Sequence, residues 1–190
     1  MAYPDTLESG TRSRTRKAIL DAAMSVLADN PVATLADIAA AAEVGRTTVH
    51  RYFPERADLI RALARHVHAL SNAAIEAADP THGPPIDALR RVVEGQLDLG
   101  PIVPFIYSEP TVTADPELMA HLDTGDEKII EVLARVSAGH EATPPGWTRR
   151  VFWALVIAGY QAAKEDGLPK HQIVDAIMTS LTEGSIKPDS

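Results

Sequence analysis

The stretch that decides the fold covers residues 34–59 and reads TLADIAAAAEVGRTTVHRYFPERADL. It opens with Thr34, a favourable helix N-cap, and Asp37 three residues later can complete a capping box. The apolar side chains that follow recur at helical spacing on one face: Leu35, Ile38, Ala39 and Ala42. The stretch therefore begins as a short helix whose alanines allow another helix to pack closely.

The middle of the stretch, Glu43-Val44-Gly45, predicts a tight turn. We expect Val44 to point inward and Gly45 to adopt backbone angles that other residues resist. A second helix should follow over residues 46–53. Pro54 should end it, because proline cannot continue a helix. The order of elements is that of a helix-turn-helix.

Only two residues of the second helix, Val49 and Phe53, are convincing core anchors, because they lie four apart on one face. The remaining side chains are polar or half-polar: Arg46, Thr47, Thr48, His50, Arg51 and Tyr52. Such a composition suits a helix that lays one face on nucleic acid, where these groups bond phosphates and base edges. The alternative is a solvated helix in an all-α bundle, since helix-turn-helix patterns also arise by chance.

The stretch and the helix before it resemble the DNA-binding head of the tetracycline-repressor-like (TetR) family of bacterial regulators. The segments that carry the resemblance are RKAILDAAMSVLA, TLADIAAAA, EVGRTTV, HRYF and PERADL. The resemblance is specific over the head and looser over the last third of the chain. There the TSLTEG motif of residues 179–184 is similar to the ending of many members.

Three positions depart from the usual pattern of the family. Glu43 stands where glycine is usual, at a cost of about 1 kcal/mol if the turn needs a positive φ. His50 replaces a tyrosine that usually contacts phosphate, and Arg56 keeps the charge of the usual lysine. The resemblance and the polar helix together imply these DNA-binding residues: Thr34, Arg46, Thr47, Thr48, His50, Arg51, Tyr52 and Arg56.

The net charge of −8 is unusual for a DNA-binding protein until it is divided along the chain. Residues 11–65 hold nine Lys or Arg and six Asp or Glu, whereas residues 66–190 hold nine and eighteen. A further basic cluster, Arg12, Arg14, Arg16 and Lys17, leads into the first helix. It is either a solvated, frayed terminus or a phosphate contact. The acidic remainder should repel DNA and leave contact to the head.

The chain contains no cysteine, which excludes disulfides and thiolate metal sites and fits a reducing cytoplasm. The first ten residues lack the apolar core of a secretion signal. The longest apolar stretch, residues 151–159, is too short to span a bilayer. We therefore expect a cytoplasmic, nucleoid-associated bacterial protein without membrane contact.

Breaks in the helical pattern divide the chain into three parts. Residues 1–55 form the expected DNA-binding head, residues 56–78 a linking helix, and residues 79–190 a helical body for ligand binding and dimerisation. The first helix should cover residues 14–28 and the linking helix residues 56–77, before the breaker DPTHGPP.

The middle of the body contains a segment with three prolines, GPIVPFIYSEP at residues 100–110. Proline removes an amide donor and clashes with the preceding turn, so we expect no regular helix around Phe105 and Tyr107. Residues 117–138 should form a helix, disturbed at Gly125. Further helices are expected around residues 86–97, over residues 147–166 and after Pro169, with a loop at residues 139–146.

Residues 151–159 are apolar nearly all round the predicted helix, which must then be covered on more than one side. A chain of 190 residues has little material for that, so a partner chain is expected. The resemblance implies a homodimer through the last two helices.

No catalytic constellation, metal site or cofactor motif stands out. The histidines are scattered, and the chain has no glycine-rich phosphate loop or nucleophile elbow. The aromatic residues are explained by core or dimer packing, or by an apolar pocket for a small, weakly polar effector. We expect such a pocket to be bordered by Phe105, Tyr107, His121 and Trp153.

The sequence thus predicts an all-α, dimeric transcriptional repressor that is released from a near-palindromic operator by a small apolar ligand. Two alternatives remain at this stage. One is a DNA-binding dimer whose body senses no small molecule and docks a protein or only dimerises. The other is a helical enzyme, for which the sequence shows no catalytic cluster.

Overall fold

We describe the protein from a computed structural model that covers residues 5–137 and 144–183. Every regular element in these ranges is a helix and none is a strand, so the predicted all-α fold is confirmed. The helices, in chain order, are α1 (Asp5–Asp29), α2 (Leu35–Ala41), α3 (Arg46–Tyr52), α4 (Arg56–Ala77), α5 (Pro85–Leu97), α6 (Ile102–Ser108), α7 (Pro110–Thr113), α8 (Pro116–Leu122), α9 (Glu127–Val136), α10 (Trp147–Glu165) and α11 (Lys170–Thr182).

The described residues divide into two compact units. The first holds the chain up to Val67 together with Phe105–Met119, and the second holds His68–Pro104 and the chain from Ala120 onward. The two units are defined by packing alone and do not show which residues bind DNA, bind a ligand or form a dimer. The limits 1–55, 56–78 and 79–190 therefore stay a prediction.

The first helix begins nine residues before the expected start, so the prediction of residues 14–28 is wrong at its N-terminal end. Side chains support the added turns: Arg14 Nε donates to the Gly10 carbonyl at 3.3 Å, and the Thr15 hydroxyl donates to the Thr11 carbonyl at 3.0 Å. The basic cluster of residues 12–17 therefore lies on a helix and is not a frayed terminus.

In the second unit, α10 packs against α5, α9 and α11. Phe152, Val156 and Tyr160 are buried on this helix. Gly159 lies where α10 meets α11, since a Cβ there would be 2.8 Å from Cγ2 of Ile173. On another side of α10, Ala154 and Ala158 are exposed.

A fully buried glutamine, Gln96, ties α5 to its neighbours. Its side-chain amide donates to the Ser71 carbonyl at 3.2 Å, and its side-chain oxygen accepts from the Ser71 hydroxyl at 2.8 Å. The Tyr160 hydroxyl donates to the Gln96 backbone carbonyl at 2.6 Å, and burial raises the pKa of that phenol. These polar groups are satisfied, as buried polar groups must be.

The helix expected over residues 117–138 is two helices, α8 and α9, and residue 138 lies outside the described residues. Gly125 breaks it with a φ of 88°, and its Cα faces the Asn72 amide so closely that a Cβ would overlap it. Asp126 then accepts from Arg149 Nε at 2.6 Å and from Trp153 Nε1 at 2.9 Å. A tertiary contact thus fixes the break that the local pattern only suggested.

The prediction that no regular helix contains Phe105 and Tyr107 is wrong, because both lie on α6. Pro104 occupies the third position of this helix, where an amide has no intrahelical partner to lose. Pro110 begins α7, a position that also suits proline. The prolines therefore mark helix starts and do not prevent helices.

None of the described helices has both the length and the apolar character needed to cross a membrane. The loop expected at residues 139–146 lies largely outside the described residues, of which only 144–146 are covered. Gly146 there precedes α10 with a φ of 75°.

Candidate nucleic-acid interface

The N-terminus of α2 is closed by the predicted capping box. The Asp37 amide donates to the Thr34 hydroxyl oxygen at 3.2 Å, and the Asp37 carboxylate accepts from the Thr34 amide and hydroxyl, each at 2.7 Å. The bonds from the Thr34 amide and then its hydroxyl lower the pKa of Asp37 below its usual value. The carboxylate is therefore ionised at neutral pH, and the start of α2 is fixed.

The turn between α2 and α3 places its left-handed residue at Glu43, whose φ is 54°. Gly45, which we expected to need unusual angles, has a φ of −67° and serves as the N-cap of α3. That expectation is wrong, because any residue adopts this conformation. The strain lies two residues earlier, where the chain has glutamate.

The inner face of α3 is held by the two predicted anchors. Val49 is fully buried, and Phe53, the C-cap residue of α3, is 2% exposed. The Arg16 guanidinium carbon lies 5.5 Å from the centre of the Phe53 ring, a cation–π distance. Helix α1 therefore covers the end of α3 with one of its basic residues.

The outer face of α3 carries four exposed polar side chains at positions i, i+1, i+4 and i+5: Arg46, Thr47, His50 and Arg51. Thr48 and Tyr52 are half-buried at its edges. The Arg51 guanidinium lies 5.5 Å from the centre of the Tyr52 ring, which limits its conformations. His50 Nδ1 lies 3.4 Å from the Pro54 carbonyl oxygen. The structure thus gathers six of the eight predicted DNA-binding residues on one short helix.

The other two predicted DNA-binding residues, Thr34 and Arg56, are engaged within the head. The Thr34 hydroxyl serves the capping box, and the Arg56 guanidinium donates to the carbonyl oxygens of Pro31 and Ala33 at 2.7 and 2.6 Å. The sequence pattern could not signal the Arg56 contact, because its acceptors are backbone atoms more than 20 residues away. A DNA contact by either residue stays a prediction.

A polar contact also joins α1 and α4. His66 Nε2 lies 2.9 Å from an Asp21 carboxylate oxygen, and Lys17 Nζ lies 2.6 Å from the other. Partial burial opposes ionisation of Asp21, but these hydrogen bonds outweigh it and lower the pKa of the carboxyl. The pair braces the two helices that flank the helix-turn-helix.

The four residues expected around a ligand pocket fall in both units. Phe105 is half-buried on α6 and Tyr107 on the same helix is 40% exposed, both in the first unit. In the second unit, the His121 ring stacks edge-on at 4.8 Å against His68, and Trp153 donates to Asp126. A shared pocket stays a prediction.

In the part of the chain that the structure describes, no group of three or more His, Cys, Asp or Glu side chains could hold a metal ion. The polar pairs that sequence reasoning missed, Gln96 with Ser71 and Asp126 with Arg149, join different helices and leave no periodic signal.

Comparison with known proteins agrees with this geometry. Residues 19–63 match the model of the bacterial regulatory proteins of the tetR family. The chain is 72% identical to the HTH-type transcriptional repressor LfrR of Mycolicibacterium smegmatis over 181 residues, which is 95% of each chain. The chain belongs to the TetR family.

Two further comparisons extend this assignment. A crystal structure of LfrR from Mycobacterium smegmatis in complex with proflavine has 71% sequence identity and a TM-score of 0.87, over 93% of this chain and 99% of that one. The HTH-type transcriptional regulator NfxB of Pseudomonas aeruginosa is 34% identical over 79 residues, 42% of each chain.

Membership of the TetR family makes this chain a DNA-binding transcriptional regulator and not an enzyme. TetR-family regulators bind operator DNA, typically as dimers and with small-molecule ligands. That the exposed face of α3 is the DNA-reading surface stays a prediction.

The strained turn yields a test of the TetR-like head. Replacing Glu43 with glycine should raise the free energy of unfolding by about 1 kcal/mol, because glycine adopts a φ of 54° without steric cost. Chemical denaturation of the full chain measures this change. Glu43→Ala is the matched control, since alanine keeps a Cβ in the left-handed region. An equal gain in both variants would contradict the explanation from backbone strain.

Proposed function

We propose that the chain is a repressor that binds a near-palindromic operator as a homodimer and leaves it when a small molecule binds the body. The observation that carries the proposal is the division of α3 into two faces. Val49 and Phe53 fix the helix to the head, and the exposed side chains of Arg46, Thr47, His50 and Arg51 are left to meet base edges and phosphates.

The charge distribution supports the same proposal. The basic residues of α1 and α3 lie within residues 11–65, which have an excess of three basic side chains, whereas residues 66–190 have an excess of nine acidic ones. DNA phosphates attract the basic residues and repel the acidic residues 66–190, and this difference orients the protein on DNA. Operator binding requires a location with the bacterial chromosome, so we propose a cytoplasmic, nucleoid-associated protein.

The dimer is proposed to form through α10 and α11. Within one chain, Ala154 and Ala158 on α10 and Ala176 on α11 are exposed, and Leu155 and Ile157 are half-buried. These small and apolar side chains allow the helices of two subunits to approach closely. A symmetric pair would place two α3 helices on half-sites about one DNA turn apart.

The effector is proposed to be a flat aromatic molecule. LfrR, a relative of high identity, has been crystallised with proflavine. The predicted lining residues Phe105, Tyr107 and Trp153 are aromatic, and His121 adds a polar ring. The acidic excess of the body favours a positively charged aromatic ligand over an anionic one.

The second candidate is a regulator whose body binds no small molecule and docks a protein. The exposed Trp147, at 53%, and Ile130, at 46%, are the observations that favour it, since exposed large apolar side chains often mark interfaces. The ligand experiment below separates the two candidates.

Operator recognition is tested by selecting DNA sequences with the purified chain. A near-palindromic site should emerge, with affinity that falls steeply as salt rises. Arg51→Ala should weaken binding to it by roughly 1–3 kcal/mol if the guanidinium bonds a base. Arg90→Ala, which removes an exposed arginine that pairs with Asp175 on α11, is the charge-matched control. Selection that yields no preferred sequence would refute the proposed function.

Dimerisation is tested by placing a charge on the open side of α10. Ala158→Asp should produce monomers and abolish operator binding, because two carboxylates would be buried at the proposed interface. Light scattering gives the mass, and circular dichroism checks that the helices remain. Ala134→Asp, at an exposed alanine of α9, should stay dimeric. An Ala158→Asp protein that is still dimeric would place the interface elsewhere.

Effector binding is tested with proflavine as the probe. In the absence of DNA it should raise the melting temperature, and it should lower operator affinity, since both follow from preferential binding to one state. Trp153→Leu should reduce both effects, whereas Trp147→Leu on the same helix should not. Comparison of the variants also corrects for dye that binds DNA directly. No shift in melting temperature would favour the protein-docking candidate.

A further inference from the structure

Arg56, the first residue of α4, reaches back to the turn between α1 and α2. Its Nη1 donates to the Ala33 carbonyl oxygen at 2.6 Å, and its Nη2 donates to the Pro31 carbonyl oxygen at 2.7 Å. A planar guanidinium offers paired donors in a rigid fork, whereas the ammonium of lysine is a single point of donation on a flexible stem. The side chain therefore closes a segment of chain that contains all of α2 and α3.

The turn that Arg56 holds leads directly into the helix-turn-helix. The Val32 amide donates to the Asn30 side-chain oxygen at 3.3 Å, and the Ala33 amide donates to the Asn30 carbonyl at 3.0 Å. Thr34, the N-cap of α2, follows immediately. The position of the Ala33 carbonyl thus determines where α2 begins, and α2 in turn places α3 through the turn at residues 42–45.

Helix α3 needs such support because it has only seven residues. A helix of this length is not stable by itself and keeps its place only through contacts with the rest of the head. Its buried anchors, Val49 and Phe53, fix its depth in the head. The Arg56 contacts fix the chain before α2 and after α3 to each other, so both ends of the helix-turn-helix are held at one point.

We propose that Arg56 is a positioning residue for operator recognition: it acts on DNA through the turn at residues 31–33, not by bonding a phosphate. This inference rests on the proposed function of α3 as the DNA-reading helix. The role depends on the fork of the guanidinium and not on its charge. Lysine at this position would keep the charge and lose one of the two carbonyl contacts.

The distinguishing experiment measures full-length Arg56→Lys against the parent chain on two DNA duplexes, the selected operator and an unrelated sequence, over a range of salt concentrations. We expect operator affinity to fall at least about tenfold, the factor that corresponds to one charge-assisted hydrogen bond. Affinity for unrelated DNA should stay within about twofold, and the salt slope should be unchanged, because the number of phosphate contacts is unchanged.

The matched control is Arg61→Lys, one turn further along α4, where the guanidinium lies 3.6 Å from Asp58 and 3.5 Å from Asp115 at the surface. It should bind both duplexes as the parent does. Arg56→Ala should resemble Arg56→Lys in operator affinity. If Arg56 instead bonded a phosphate, Arg56→Lys would bind as the parent, and Arg56→Ala would lose affinity for both duplexes with a slope smaller by about 0.9.

Melting curves of each variant complete the test. Arg56→Lys that is folded at the assay temperature and binds the operator as tightly as the parent would overturn the proposal. So would unfolding of Arg56→Lys at that temperature, since Arg56 would then hold the whole fold and not the reading helix. A parent chain that selects no operator would refute the proposed function itself, which is a separate result.

Discussion

Burial of Val49 and Phe53 is the constraint on which the proposed DNA-reading surface depends. Helix α3 is too short to persist without tertiary contacts, so these two side chains decide both that it forms and which face it turns inward. With these two side chains buried, Arg46, Thr47, His50 and Arg51 lie on the exposed face of the helix. Burial of the apolar anchors thus leaves the polar face of α3 exposed, and the same packing that stabilises the head orients the residues that we propose to read DNA.

Other polar groups of the head form hydrogen bonds that hold its helices together. Asp37 and Thr34 close the start of α2, and the Asp21 carboxylate joins α1 to α4 through His66. The strained Glu43 turn opposes these contacts by about 1 kcal/mol, a cost that one good helix cap offsets. The head is therefore stabilised by these side-chain contacts and strained at Glu43, in the turn between α2 and α3.

Periodic features of the sequence were sufficient for much of this account. Apolar spacing and prolines were sufficient to predict the limits of α4, the starts of α3 and α10, and the anchors of α3. The TetR assignment, which was made from the residues of the head, is confirmed. The sequence pattern gave the wrong conformation where a proline or glycine is compatible with more than one local structure. Pro104 was interpreted as a helix breaker, but proline is tolerated in the first turn of a helix. The positive φ of the turn was expected at Gly45, whereas Glu43 adopts it.

Contacts between distant segments could not be predicted at all. Arg56 has the same charge whether it meets a phosphate or two carbonyl oxygens, and only the fold brings Pro31 and Ala33 within its reach. The pair of Asp126 and Arg149 is a similar case, because a carboxylate before a helix is usually a solvated N-terminal residue. The sequence shows only that such side chains are polar, whereas the fold shows that they join distant segments of the chain.

We propose that the exposed face of α3 enters the major groove of the operator. Methylation interference on the selected operator tests it directly, because guanine N7 lies in the major groove and adenine N3 in the minor groove. N7 methylation should block binding in two clusters about one DNA turn apart, while N3 methylation within those clusters should have no effect. Interference confined to adenine N3 would contradict it, since the head would then read DNA from the opposite groove.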